Sequence, residues 1–105
     1  MPLTHDFKET IRARAQRDAE FRQALLREAV ESILNGELAA GKAVLRDYVN
    51  ATVGFQSLGK DTSIPVKSLM RMLSPKGSPS VANFSIILAA LQKTEGVHFE
   101  LTLRR

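Results

Sequence analysis

Lys67 and Arg71 stand four residues apart in Ile64-Pro65-Val66-Lys67-Ser68-Leu69-Met70-Arg71-Met72-Leu73, the spacing that sets two cations on one face of a helix. A cationic pair of this kind can reach guanine O6 and N7 in a major groove, and each good bidentate contact discriminates by about 1–3 kcal/mol. Val66 and Met70 fall on the same outward face and can touch thymine methyl groups. For Lys67 and Arg71 the plainer alternative is a solvated helix face; for Val66 and Met70 it is packing on a neighbouring helix. Pro65 and Ser68 belong to the same short element, which spans about 65–73.

Such a face is useful only if it is held. Leu69, Met72 and Leu73 fall on the opposite side of this element, and Phe55 to Thr62 reads as a shorter helix before it, with Leu58 and Thr62 turned inward and Ile64 at the turn. Two short helices with an apolar seam and a cationic outer edge are the pattern of a helix-turn-helix, which lays its second helix in the major groove. Gln56, Lys60, Ser74, Lys76 and Ser78 flank that helix and are candidates for phosphate contacts, which fix register without reading bases. Under the alternative reading, Gln56 and Lys60 are ordinary helix-surface residues. The Pro75-Lys76-Gly77-Ser78 loop lacks the Gly-x-x-x-x-Gly-Lys spacing of a nucleotide-binding loop.

Other chemistry finds little support. His5 and His98 do not suggest a pair, and His98 with Glu100 supplies only two ligands, too few for a metal site. Ser57, Ser68 and Ser85 have no neighbouring base to activate them, and Glu28 and Glu31 read as helix-surface carboxylates. We expect no enzyme, no metal and no cofactor.

A length of 105 residues bounds the chain to one core, and 44% apolar with 25% charged residues is ordinary for a globular protein. There is no cysteine, which excludes disulfides and thiolate metal sites and agrees with a cytoplasmic location. The longest apolar run, Ile86 to Leu91, is far below the roughly 20 residues of a membrane span, and the N-terminus around Phe7 lacks a signal-peptide core. The net charge of +4 is unevenly placed. Residues 1–35 carry six basic and six acidic side chains, whereas residues 36–105 carry nine basic against five acidic. The surplus therefore lies with the helix-turn-helix, where it would attract a polyanion.

Helical periodicity covers residues 6–34, with Asp18 placed to cap a second helix and so divide the stretch into about 6–16 and 19–34. Asn35-Gly36 is a stop signal. A helix from about Glu37 to Ala51 puts Leu38, Val44, Leu45, Tyr48 and Val49 inside and Lys42, Arg46 and Asp47 outside. Ser74 to Ser80 reads as a loop, and Ser80 caps a last helix running to about Lys93 with Val81, Phe84, Ile87, Leu88 and Leu91 as its buried stripe. After Gly96, Val97, Phe99, Leu101 and Leu103 alternate with polar residues, the period of a strand with one apolar face. A lone strand needs a partner, and pairing with its counterpart in a second copy predicts a homodimer. The Phe21, Leu25, Ala29 stripe of the N-terminal part has two readings, packing on the core or engaging a partner protein.

Residues from about 24 to 103 resemble the Cro/CI-type (XRE) helix-turn-helix antidote proteins of bacterial addiction modules, the HigA-like antitoxins. The resemblance rests on Leu26-Arg27-Glu28-Ala29, Asn35-Gly36-Glu37, Ala43-Val44-Leu45-Arg46-Asp47, Leu58-Gly59, Ser68 to Ser74 and Ile87-Leu88-Ala89-Ala90-Leu91. Its most specific piece is the Leu73-Ser74-Pro75-Lys76-Gly77-Ser78-Pro79 loop. It implies an all-α, five-helix lambda-repressor-like domain over residues 36–105, preceded by an N-terminal helical extension over 1–35 and ending in a dimerisation strand formed by Val97, Phe99, Leu101 and Leu103. It further implies a repressor of its own operon that neutralises a RelE-like toxin. The chain departs from the family where Gly59 replaces a usual alanine, Ser63 the usual turn glycine and Pro65 a common capping Ser or Thr. Two other functions fit the same residues: a protein-interaction module without specific DNA binding, and a stand-alone prophage-type repressor without a toxin.

Overall fold

The computed structural model describes residues 5–105, with side chains from Phe7 onward, and every regular element among them is a helix. The chain order is α1 (His5–Arg17), α2 (Ala19–Leu34), α3 (Leu38–Ala51), α4 (Gly54–Thr62), α5 (Val66–Met72) and α6 (Val81–Glu95). Residues 1–4 of the expected N-terminal extension lie outside the described residues, as does the side chain of His5.

Local signals set most of the boundaries. Asp18 adopts extended backbone between α1 and α2 and accepts the Phe21 amide at 3.1 Å, as an N-cap should. That bond, with a smaller contribution from Arg14, holds the Asp18 carboxyl below the usual range. Ser80 does the same for α6, accepting from Asn83 at 3.1 Å. Asn35-Gly36 ends α2, and Gly96 ends α6 in a left-handed conformation.

One core serves α2 through α6. Leu26 and Ala29 of α2, Leu45, Tyr48 and Val49 of α3, Phe55 and Leu58 of α4, Leu69 and Leu73 around α5, and Ile87 and Leu91 of α6 form its buried cluster. The part of the N-terminal extension from Ala19 on therefore packs with the rest, whereas α1 contributes no residue to that cluster and buries Ala15 fully beside it. The Phe21, Leu25, Ala29 stripe divides: Ala29 is in the core, Leu25 packs against it, and Phe21 is half-buried with Arg14 stacked 4.5 Å over its ring.

A polar network joins four of these helices, α1, α2, α3 and α6. Tyr48 donates its hydroxyl hydrogen bond to Glu95, whose carboxylate also takes the Arg22 guanidinium at 3.1 Å, and Arg22 reaches the Ala15 carbonyl at 2.7 Å. Burial, and then the Glu95 hydrogen bond, push the Tyr48 phenol well above its usual pKa.

The expected strand over 97–103 does not form, and residues 97–105 carry no regular secondary structure. Val97 and Phe99 instead lie back on the core of their own chain. The Gln92 side chain accepts the Phe99 amide at 2.8 Å, so a helix side chain takes one hydrogen bond that a strand partner was expected to supply. Leu101 and Leu103 are 80% and 98% exposed. Two apolar residues expected inside are also exposed: Leu38 and Val81. Val81 and Leu38 are the first residues of their helices, beyond the reach of the packed turns.

Candidate nucleic-acid interface

The α4–α5 pair is built from its inner side outward. Phe55 and Leu58 of α4 and Leu69 and Leu73 beside α5 are buried, with Ile64, Val66 and Met72 packed against them. Between the helices, Thr62 donates to the Leu58 carbonyl at 2.7 Å and accepts the Ile64 amide at 3.3 Å. Ser63 takes the left-handed conformation, φ 59°, at the position where the resembled family has glycine. A residue with a Cβ meets a steric cost there of about 1–2 kcal/mol. Pro65 stands at the N-cap of α5, and no side chain caps that end, neither Ser63 nor any other.

Val66 differs from its expected place. It is half-buried and turned toward α4, where a Cβ added at Gly59 would lie 3.1 Å from its side chain and 3.2 Å from the Ile64 carbonyl. The family's alanine would be tight here, and glycine lets α5 approach. The outward face of α5 is consequently Lys67, Met70 and Arg71, all exposed, with Met70 51% accessible. Ser68 is half-buried. Gln56, Lys60 and Pro65 line one shallow groove where α4 meets α5, together with Ser63 and Val66.

At the other end of α5 the chain reverses in a tight turn. The Gly77 amide donates to the Ser74 carbonyl at 3.2 Å, which makes Pro75 and Lys76 the two central residues of a four-residue turn. The Ser74 hydroxyl donates to the Arg71 carbonyl at 2.7 Å and accepts from Gly77 at 3.2 Å, so its hydrogen-bonding capacity is largely engaged within the turn. A Cβ on Gly77 would lie 1.7 Å from the Arg71 carbonyl oxygen, which leaves glycine the one residue that fits. Lys76 is exposed at the tip of this turn and Ser78 just beyond it.

Two cations of α3 expected on its outer side lie beneath the turn instead. Lys42, expected outside, is 4% exposed and directs its ammonium at the carbonyls of Ser74 (3.0 Å), Pro75 (3.5 Å) and Gly77. Half-buried Arg46, one turn further along α3, donates to the Leu73 carbonyl at 2.6 Å. Arg46 thus serves the C-cap carbonyl of α5, where the partial negative charge of the helix end lies, and Lys42 serves the carbonyls of the turn that follows. A signal was present: Lys42 falls in step with Leu38, Leu45 and Val49, interrupting an apolar stripe.

Residues 54–78 thus present four exposed cations, Lys60, Lys67, Arg71 and Lys76, against one carboxylate, Asp61. Neither ion pair among the described residues, Arg14–Asp18 or Arg22–Glu95, involves them. Among the described residues no group of three metal-ligating side chains converges, and no helix is long and apolar enough to cross a membrane. No family model, curated protein or solved structure matches this chain.

Proposed function

We propose that this chain is a sequence-specific DNA-binding repressor, the antitoxin of a type II toxin–antitoxin pair of the HigA-like kind, with α5 as its recognition helix. The observation that carries the reading is the outer face of α5. It presents Lys67, Met70 and Arg71 without ion-pair partners over a buried Leu69–Leu73 side, with Lys60 and Lys76 exposed to either flank. In this reading Arg71 and Lys67 contact base edges and Met70 a thymine methyl, while Gln56, Lys60, Lys76 and Ser78 hold phosphates. Only four helices, α3 to α6, form within the 36–105 span expected to hold five, so the five-helix lambda-repressor-like layout is read over α2 to α6, taking α2 from the expected extension, and no catalytic step is assigned.

Dimerisation completes the mechanism, because two recognition helices about 34 Å apart match successive major-groove half-sites. The exposed Leu101 and Leu103 support a contact through the tail, and Val97 and Phe99 anchor that tail to its own chain.

Binding to DNA from upstream of its own coding sequence, compared with a scrambled duplex by fluorescence anisotropy, tests the proposal. A preference for the upstream duplex is expected, with affinity falling steeply between roughly 50 and 200 mM salt as counterion release loses its advantage. A second reading, a protein-interaction module, is favoured by the apolar hollow between Ile33, Leu38, Pro79, Val81 and Phe84, with Val81 88% exposed. No duplex preference, with salt-insensitive capture of the product of an adjacent RelE-like reading frame, would place that reading first. Duplex preference without any such neighbouring frame would leave a stand-alone repressor.

A further inference from the structure

Lys42 is buried, yet among the described residues no carboxylate pairs with it. If α3 needed only to fill space at this point, an aliphatic residue would do so without desolvating a charge. What the ammonium supplies is three donors, and the chain reversal after α5 offers three carbonyls, those of Ser74, Pro75 and Gly77. All three belong to the turn that displays Lys76. The same turn is pinned from above by Gly77 lying against the Arg71 carbonyl and by the Ser74 hydroxyl on that same oxygen.

We propose that Lys42 is a positioning residue for a phosphate contact made by Lys76. It touches no DNA itself and sets the Ser74–Gly77 turn so that Lys76 stands at a fixed place beside Arg71. One lysine lies under the turn and the other on top of it; the buried one removes the freedom that a flexible loop would otherwise lose on binding. This inference rests on the DNA-binding reading above and adds to it a residue no surface inspection would select.

The salt dependence of binding tests it, because each phosphate contact contributes about 0.9 to the slope of log K against log salt. The probe is a labelled duplex from upstream of the coding sequence, and the proteins are wild type, Lys76→Ala, Lys42→Met and the double variant. Lys76→Ala is expected to lower the slope by about 0.9, Lys42→Met by a similar amount although its head group is enclosed, and the double variant no further. Gly77→Ala displaces the turn from its other side, leaves Lys42 intact and is expected to match Lys42→Met, which keeps the test open should Lys42→Met fold poorly. Two results overturn the positioning role alone: an unchanged slope in folded Lys42→Met or Gly77→Ala while Lys76→Ala lowers it, or slope losses that add in the double variant. A wild type with no salt slope instead removes the DNA-binding reading, and this inference with it.

Discussion

Helix α3 buries polar chemistry at both ends, and the two ends are tied in opposite ways. In its second turn Lys42 meets only neutral carbonyls, those that follow α5. In its last turn Tyr48 meets a formal carboxylate, Glu95, which is shared with Arg22. The first tie shapes a surface turn that carries an exposed cation. The second joins α2, α3 and α6, and through Arg22 the Ala15 carbonyl of α1, with no member on α4, α5 or the turn. Buried polar groups can therefore serve presentation or cohesion within one helix, and substitutions at each end should separate the two.

The largest effect is expected from Glu95→Ala, which leaves the Tyr48 hydroxyl without its acceptor and the Arg22 guanidinium with only the Ala15 carbonyl. Breaking a buried pair from one side costs about 3 kcal/mol, measurable by urea unfolding, while duplex affinity of the folded variant should stay unchanged. A loss of affinity at full fold would blur the distinction between the two ends. Tyr48→Phe removes a single hydrogen bond to the same carboxylate, and about 1–1.5 kcal/mol of stability should go with it.

The wild type offers a further check at this end, since Tyr48 is the only tyrosine in the chain. Its phenol pKa is raised in the folded protein by burial and then by Glu95. The stabilisation this implies is complete below the unfolded value of about 10 and is lost as pH climbs above it. Ultraviolet absorbance should show the phenolate arising with alkaline unfolding, and an ordinary titration near the unfolded value in intact protein would contradict the network.

Smaller effects sharpen the contrast at the entry to α5. Ser63→Gly relieves the left-handed strain and should stabilise by about 0.5–1 kcal/mol in thermal unfolding, because the turn already has the conformation glycine favours. Asp18→Asn keeps a capping oxygen and removes the charge. The folded Asp18 carboxyl is held low, first by the Phe21 amide, so its contribution is present above the ordinary aspartate range and is lost as pH falls through the folded pKa. The melting-temperature difference between wild type and Asp18→Asn should be constant near neutrality and shrink in acid.

Helix boundaries were legible because their causes are local. Asp18, Asn35-Gly36, the Pro75 to Pro79 loop, Ser80 and Gly96 each act on the backbone within one turn. Burial was less legible, because it depends on what a helix meets. Lys42 follows the apolar stripe of α3, but nothing in the chain announces that carbonyls of a distant turn will receive its charge. Val66 turns inward because Gly59 opens room for it on the neighbouring helix. The tail's period of two marked a single apolar side, which a strand and an extended segment laid on a core share. Of the candidate interface, Lys67, Met70 and Arg71 stand exposed as the spacing indicated, while the hydroxyl of Ser74 is occupied by its own turn.

In the proposed function the outer face of α5 reads bases. Selection of preferred sites from a pool of random duplexes, run with wild type and with Arg71→Ala, tests it most directly. The wild type is expected to enrich a two-fold symmetric site, and Arg71→Ala to lose preference at one base pair per half-site, at about 1–3 kcal/mol of discrimination. Failure of the wild type to enrich any sequence, or an Arg71→Ala variant that enriches the same site at every position, would contradict it.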